Sequence, residues 1–117
     1  MKKEFRVCKN YEFSSIIEHR VFGKSESFVC YVMDRKENHA RIGISVGKKI
    51  GNAVQRNKVK RQVRSMVDHI FSFEEAYDTI IIVRPSYLKH SYAQNYQELE
   101  QTKKKIEKRI SRKRVEG

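Results

Sequence analysis

Between Glu37 and Asp68 the chain has no acidic residue. The same window holds eight basic ones: Arg41, Lys48, Lys49, Arg56, Lys58, Lys60, Arg61 and Arg64. One-signed charge in mid-chain limits what can fold there. An element built from it must bury an apolar stripe and leave its cations in water or against an anion. Val59, Val63, Met66, Val67 and Ile70 supply that stripe at helical spacing, which predicts a helix from about Ala53 to Ile70. At about 100° per residue, Arg56, Asn57, Lys60 and Arg64 share the neighbouring face, with Arg61 at its edge. Arg56, Lys60 and Arg64 stand at i, i+4 and i+8. Like charges at that spacing mildly destabilise a helix, whereas opposite charges support it. A structural role explains this face poorly. Phosphate binding explains it well, because each cation can displace a counterion condensed on nucleic acid.

Composition points the same way. Lys and Arg number 26 against 14 Asp and Glu, a net charge of +12 on 117 residues. That excess repels itself in a compact fold, and a polyanionic partner is the simplest reason to carry it. Nucleic acid leads; an anionic membrane follows at a distance, since the basic face lacks an exposed apolar insertion stripe. There is no 18-residue apolar run, and Met1 to Arg6 lacks the apolar stretch of a signal peptide. Cys8 and Cys30 form no CxxC pair and read as ordinary buried or half-buried thiols in a reducing, cytoplasmic compartment. No repeat or linker divides the chain, so residues 1–117 read as one nucleic-acid-binding domain with a basic helix end from about 101. That end holds eight more basic residues against Glu107 and Glu116. A solvated helix terminus explains the stretch Lys103 to Arg114 as well as RNA contact does.

The remaining elements follow from periodicity and caps. A first helix is expected from Tyr11 to about Arg20, capped by Asn10, with Phe13, Ile16 and Ile17 as its stripe and Gly23 as a breaker. Phe28 to Met33 alternates as a strand, with Val29, Tyr31 and Met33 on one face. Arg41 to Val46 is a second strand. Phe5 to Cys8, or Val21 to Lys24, can add a short edge strand. Gly47 to Asn52 is a loop. Tyr77 to Val83 is a strand whose Ile80-Ile81-Ile82-Val83 run implies burial on both faces. Ser91-Tyr92-Ala93-Gln94 fits a capping box and opens a last helix, with Tyr92, Tyr96, Leu99, Ile106 and Ile110 inward. Helix, strands, helix, strand, helix is the order of an α+β chain, an α/β two-layer sandwich.

The stretch Gly51-Asn52-Ala53-Val54-Gln55-Arg56-Asn57-Lys58-Val59-Lys60-Arg61-Gln62-Val63-Arg64 resembles the arginine- and lysine-rich helix of the bacterial ribonuclease P protein-subunit family. Arg41 to Lys49 resembles that family's preceding strand. The likeness extends to Asn10-x-x-Phe13, Phe28-Val29-x-Tyr31 and Ile80 to Val83, and so covers most of the chain. It implies a left-handed β-α-β crossover, which periodicity does not show; general rules favour the right-handed form. It also implies an accessory subunit of a ribozyme, whose RNA cleaves precursor tRNA to leave the mature 5′ end. The residues agree in one respect. Acidic residues are scattered, and His19, His39, His69 and His90 show no paired spacing for acid–base work. No catalytic residue and no protein-held metal is therefore expected in this chain.

The resemblance assigns three surfaces. Phe13, Ile17, Val29 and Tyr31 would form a cleft for the single-stranded 5′ leader, where bases stack on aromatic faces. By composition alone, Phe13 and Tyr31 read as core residues. Ile17 stands where relatives often carry a second aromatic, so stacking there should be weaker. Asn57, Lys60 and Arg64 would line the cleft edge. Lys48, Lys49, Arg56, Lys58 and Arg61 would grip the RNA subunit. Mg2+ would be bound chiefly by RNA, with a weak contribution near Asn57. The partners would be the RNA subunit and precursor tRNA, with no membrane and no protein oligomer required. Two alternatives compete: a structural, ribosomal-type RNA-binding protein without a role in cleavage, and a protein-only nuclease.

Overall fold

A computed structural model describes residues 1–116, with side chains through Ser111. Its centre is the most apolar segment. Strand β4 (Tyr77–Val83) is buried almost throughout and lies between two neighbours. On one side it pairs antiparallel with β2 (Phe28–Asp34), which pairs in turn with β1 (Val21–Lys24). On the other it pairs parallel with β3 (Ile42–Val46). The sheet order is β1-β2-β4-β3. Of the two expected edge strands, Val21 to Lys24 is the one that forms. Arg6 adds only an isolated bridge to Ile42 on the outer side of β3.

Helix α2 (Ala53–Ile70) joins the parallel pair β3 and β4, completing a β-α-β unit. Asn52 caps it, accepting from the Gln55 N–H at 2.9 Å. Its buried residues are Val59, Val63, Met66 and Val67, with Ile70 partly buried. Helix α3 (Tyr92–Glu116) begins with the predicted box: the Gln94 N–H donates to Ser91 Oγ at 3.2 Å, and the Ser91 N–H to Gln94 Oε1 at 2.9 Å. Leu99 and Ile106 join α2 over one face of the sheet, against Phe28, Cys30, Val32, Ile42 and Ile81. This is the α/β sandwich proper.

Helix α1 (Asn10–Glu18) lies on the other face. There Ile16 packs with Val7 and Ile80, flanked by Phe13, Ile17, Tyr31, Met33 and Ile82. Two features seat it. Gly43 in β3 leaves a hollow that the Phe13 ring fills; a Cβ built there would lie 2.6 Å from Phe13 Cζ and 2.7 Å from Ile80 Cδ1. Beside it, Arg41 bridges Glu12 of α1 at 2.5 Å and Asp78 of β4 at 3.4 Å, and its backbone N–H donates to Asp78 at 2.8 Å.

Three expectations are corrected. Helix α1 starts at Asn10 itself, with Lys9 in the cap position and no side-chain cap bond, so Asn10 is inside the helix and not its cap. The chain turns at Arg20, which takes φ 63°, and Gly23 is a strand residue. Glycine suits position 23 by closeness: a Cβ there would lie 3.0 Å from Ile106 Cγ1, a contact that Ile106 would have to yield to. Tyr92 is 43 % exposed and does not point inward.

Candidate nucleic-acid interface

Charge separates the basic residues of the acid-free window. Arg41 is consumed by its two carboxylates, and ion pairing holds its guanidinium pKa above the usual value, Glu12 contributing most. Among the described residues, the other seven have no carboxylate within ion-pairing distance. Helix α2 therefore carries its outward cations uncompensated, as the i, i+4, i+8 spacing predicts.

Those cations fall on two sides of the buried stripe. Asn57, Lys60, Arg61 and Arg64 line an open concavity of about 480 Å³ with Val54. Arg61 shares this concavity with the group expected at the cleft edge but does not line the hollow beside Phe13. Lys58 lines a separate concavity beside Gln55, Gln62, Tyr87 and Leu88. Arg56 is half-buried, and its Nε has no hydrogen-bond partner. Lys48 and Lys49 are exposed on a 3-10 turn, Lys48–Ile50, anchored by buried Ile50 just before the α2 N-terminus. The positive end of the helix dipole adds to their field.

The cleft is built by sheet register. Tyr31 of β2 pairs with Phe22 of β1 and with Ile80 of β4, and Ile80 pairs with Gly43 of β3. These four share one face, because directly paired residues in a pleated sheet point the same way. The next row on that face is Lys24, Val29, Ile82 and Ser45. Val29, Tyr31, Ile82 and Ser45 are each half-buried, a floor that is uncharged and partly wet. Phe13 and Ile17 of α1 are also half-buried. At the β3 end, Phe13, Gly43 and Ile44 share a hollow of about 100 Å³ with Lys60 and Arg64. The two cations reach from α2 to the edge of the floor. The structure thus joins Phe13 to Lys60 and Arg64, and those two to Asn57.

Several groups near this site were not found by sequence reasoning. Gly43 could have been, since a glycine in a strand marks a close approach. The Arg41–Glu12–Asp78 bridge joins residues distant in sequence and leaves no local signal. His90 is a further case. Its Nδ1 meets Glu98 Oε2 at 2.6 Å and Ser27 Oγ at 3.1 Å, and its Nε2 meets Glu26 at 3.2 Å. Serine, histidine and glutamate stand together here, but a nucleophilic relay needs the serine and the acid on different ring nitrogens. Glu98 shares Nδ1 with the serine, and although Glu26 sits on Nε2, Ser27 is wholly buried and its hydroxyl donates to Asn95 Oδ1 at 2.7 Å, so no substrate can reach it. Among the described residues, no three His, Cys, Asp or Glu side chains gather to hold a metal. No helix among them is long and apolar enough to cross a membrane. Arg112, Lys113 and Arg114 of the basic tail lie outside the described side chains.

Comparison with known proteins agrees with this architecture. A family model described as Ribonuclease P matches residues 1–107. The ribonuclease P protein component of Mesoplasma florum is 45 % identical over 101 residues, 85 % of this chain and 92 % of that protein. That of Mycoplasma capricolum is 46 % identical over 95 residues, covering 80 % and 87 %. The solved Staphylococcus aureus RNase P protein superposes with a TM-score of 0.78 at 37 % identity, covering 86 % of this chain and 93 % of that one. The Thermotoga maritima RNase P protein shares the fold, with a TM-score of 0.68 at 24 % identity over 80 % of this chain and 90 % of that one. The seven uncompensated cations and the half-open sheet face are therefore features of a chain that belongs to the ribonuclease P protein family.

Proposed function

We propose that this chain is the protein component of a ribonuclease P ribonucleoprotein. It binds the catalytic RNA subunit and the 5′ leader of precursor tRNA, and it promotes endonucleolytic removal of that leader. One observation carries the reading: the uncompensated cations of α2 meet a half-wet aromatic floor at Phe13, where Lys60 and Arg64 line both concavities. Cations beside stacking faces are the chemistry of single-stranded nucleic acid binding.

The division of labour follows from position. Phe13, Ile17, Val29 and Tyr31 receive leader bases. Asn57, Lys60, Arg64 and also Arg61 hold leader phosphates. Lys48, Lys49, Arg56 and Lys58 lie beyond the cleft and contact the RNA subunit. Bond cleavage belongs to the RNA. Magnesium supplies charge neutralisation and activation of water there, and this chain's residues do not suit it as a resident ion. Asn57 is surrounded by Lys60, Arg61 and Arg64, with no carboxylate to offset their repulsion of a cation. The protein's cations take over part of the neutralisation that free magnesium would otherwise provide. Both cysteines are free, Cys30 buried as expected and Cys8 exposed against expectation, which fits a reducing cytoplasm.

The test is reconstitution. The protein is mixed with a bacterial ribonuclease P RNA and labelled precursor tRNA at magnesium too low for the RNA alone. Rescued cleavage at the mature 5′ end is expected. RNA binding without rescue would mark a structural RNA-binding protein, and cleavage by the protein alone would mark a protein nuclease; either result overturns the proposal.

A further inference from the structure

The cleft floor does not stop at Tyr31. Its far end, on β1, carries an aromatic ring and a cation that the surfaces assigned above do not use. Phe22 is paired with Tyr31 across the β1–β2 ladder, and their rings lie 5.4 Å apart, tilted by 41°. Phe22 is half-exposed. Arg109 comes from α3, which packs on the opposite face of the sheet, and its side chain passes round the free edge of β1. Nη1 donates to the Phe22 carbonyl at 2.8 Å, and the guanidinium lies over the Phe22 ring, 5.5 Å from its centroid. One turn earlier, Lys105 donates to the Lys24 carbonyl at 3.4 Å.

Edge protection accounts for part of this, because two cations cover the open carbonyls of an edge strand. It does not account for the rest. A carbonyl needs only an N–H, yet here an exposed guanidinium also lies within cation–π distance of a ring that continues the aromatic row. Among the described residues Arg109 has no carboxylate partner. Its charge remains available to a phosphate, and its plane to a base.

We infer that Phe22 and Arg109 form an additional nucleotide subsite, which extends the single-stranded track across β1 and ends it on a cation. The inference rests on the leader-cleft reading above. The face then has an order: Lys60 and Arg64 at the β3 end, an uncharged floor across β4 and β2, and Phe22 with Arg109 beyond β1. Adjacent strands stand about 4.8 Å apart. The step from Tyr31 to Phe22 therefore suits one further stacked base, with its phosphate at Arg109. Ile17 offers no ring on the α1 side of the floor, so Phe22 is the neighbouring ring that continues the row from Tyr31.

Holoenzyme reconstituted with ribonuclease P RNA tests this against precursor tRNAs whose leaders lengthen one nucleotide at a time, with leaderless tRNA as the baseline. The variants are Arg109→Gln, which keeps an N–H donor for the edge carbonyl, Phe22→Leu, which keeps the apolar contact, and Tyr31→Ala; melting curves establish that each is folded. Arg109→Gln and Phe22→Leu should match the wild type on leaderless and short-leader tRNA. Once the leader is long enough to pass Tyr31, each should lose about tenfold in affinity. If Tyr31→Ala weakens leader binding while both β1-side variants follow the wild type at every length, the extension is wrong and the cleft stands. If Tyr31→Ala also follows the wild type, the cleft reading itself falls and the extension with it.

Discussion

The two faces of one sheet show how this chain divides its resources. Under α2 and α3, strand residues Phe28, Cys30, Val32 and Ile81 are sealed, and the carboxylate nearby is satisfied, Glu98 meeting the His90 ring and the Ser27 N–H. Across the sheet, α1 spans only nine residues and leaves Val29, Tyr31 and Ile82 half-open, beside the unpaired cations of α2. Both faces come from the same alternating strands. What differs is how much helix covers them, and hence whether an aromatic ring is core or platform.

Substitutions on the two faces should fail differently. The largest effect is expected on the sealed face. Phe28→Ala should cost about 3–5 kcal/mol of unfolding free energy, read by denaturant melts. It should leave the affinity ratio between leader-bearing and leaderless tRNA unchanged wherever the protein is still folded. On the open face the pattern inverts. Tyr31→Ala should cost about 1–3 kcal/mol of precursor tRNA affinity in the holoenzyme and nothing on leaderless tRNA. Ile17→Phe should raise the same ratio. Equal ratios in wild type and Tyr31→Ala would erase the distinction between the faces.

A smaller effect belongs to the cations. Lys60→Ala or Arg64→Ala should weaken RNA binding alike across sequences, and each should flatten the log–log salt slope by about 0.7–0.9. Unchanged slopes in both would remove this face from the RNA interface. The smallest effect concerns a charge on the sealed side. Burial pushes the Glu98 carboxyl pKa up, but hydrogen bonds from the Ser27 N–H and from His90 outweigh it and hold the group below its ordinary value. A depressed carboxylate stabilises the fold above its unfolded pKa, and that contribution is lost as pH falls through the folded value. Glu98→Gln should therefore cost about 1 kcal/mol at neutral pH. The gap from wild type should close on acidification; a gap that widens would reverse the sign.

The local signals were legible in the sequence. The α2 bounds, the Ser91 box and the double burial of β4 follow from spacing and caps that act within a few residues. So does the uncompensated basic face, because a helix fixes which residues share a side. Apart from the Asn10 cap, a local miss of one residue, the misses are tertiary. Tyr92 fits the α3 stripe by period, yet its ring stays exposed and its hydroxyl reaches Ser65 on α2 instead. Gly23 reads as a breaker until α3 is known to press on it. Phe22 and Arg109 meet only because β1 is an edge that a side chain from the other face can round. Arg41 counts as one of eight cations by composition and is the one withdrawn from the surface by partners in α1 and β4.

The hollow beneath Phe13 also sets an order of events. One of its walls is Gly43 on β3 and the other is Ile80 on β4, strands joined through the whole of α2. Until that distant parallel pair has closed, the hollow does not exist and α1 has no seat. The helix that is made early in the chain is thus the part that docks late. Truncating Phe13 should consequently speed unfolding and leave the refolding rate almost untouched, a φ-value near zero. A chain caught before that last step would already hold its basic helix but not the groove proposed for the leader. It could be retained by RNA while still unable to tell precursor from product.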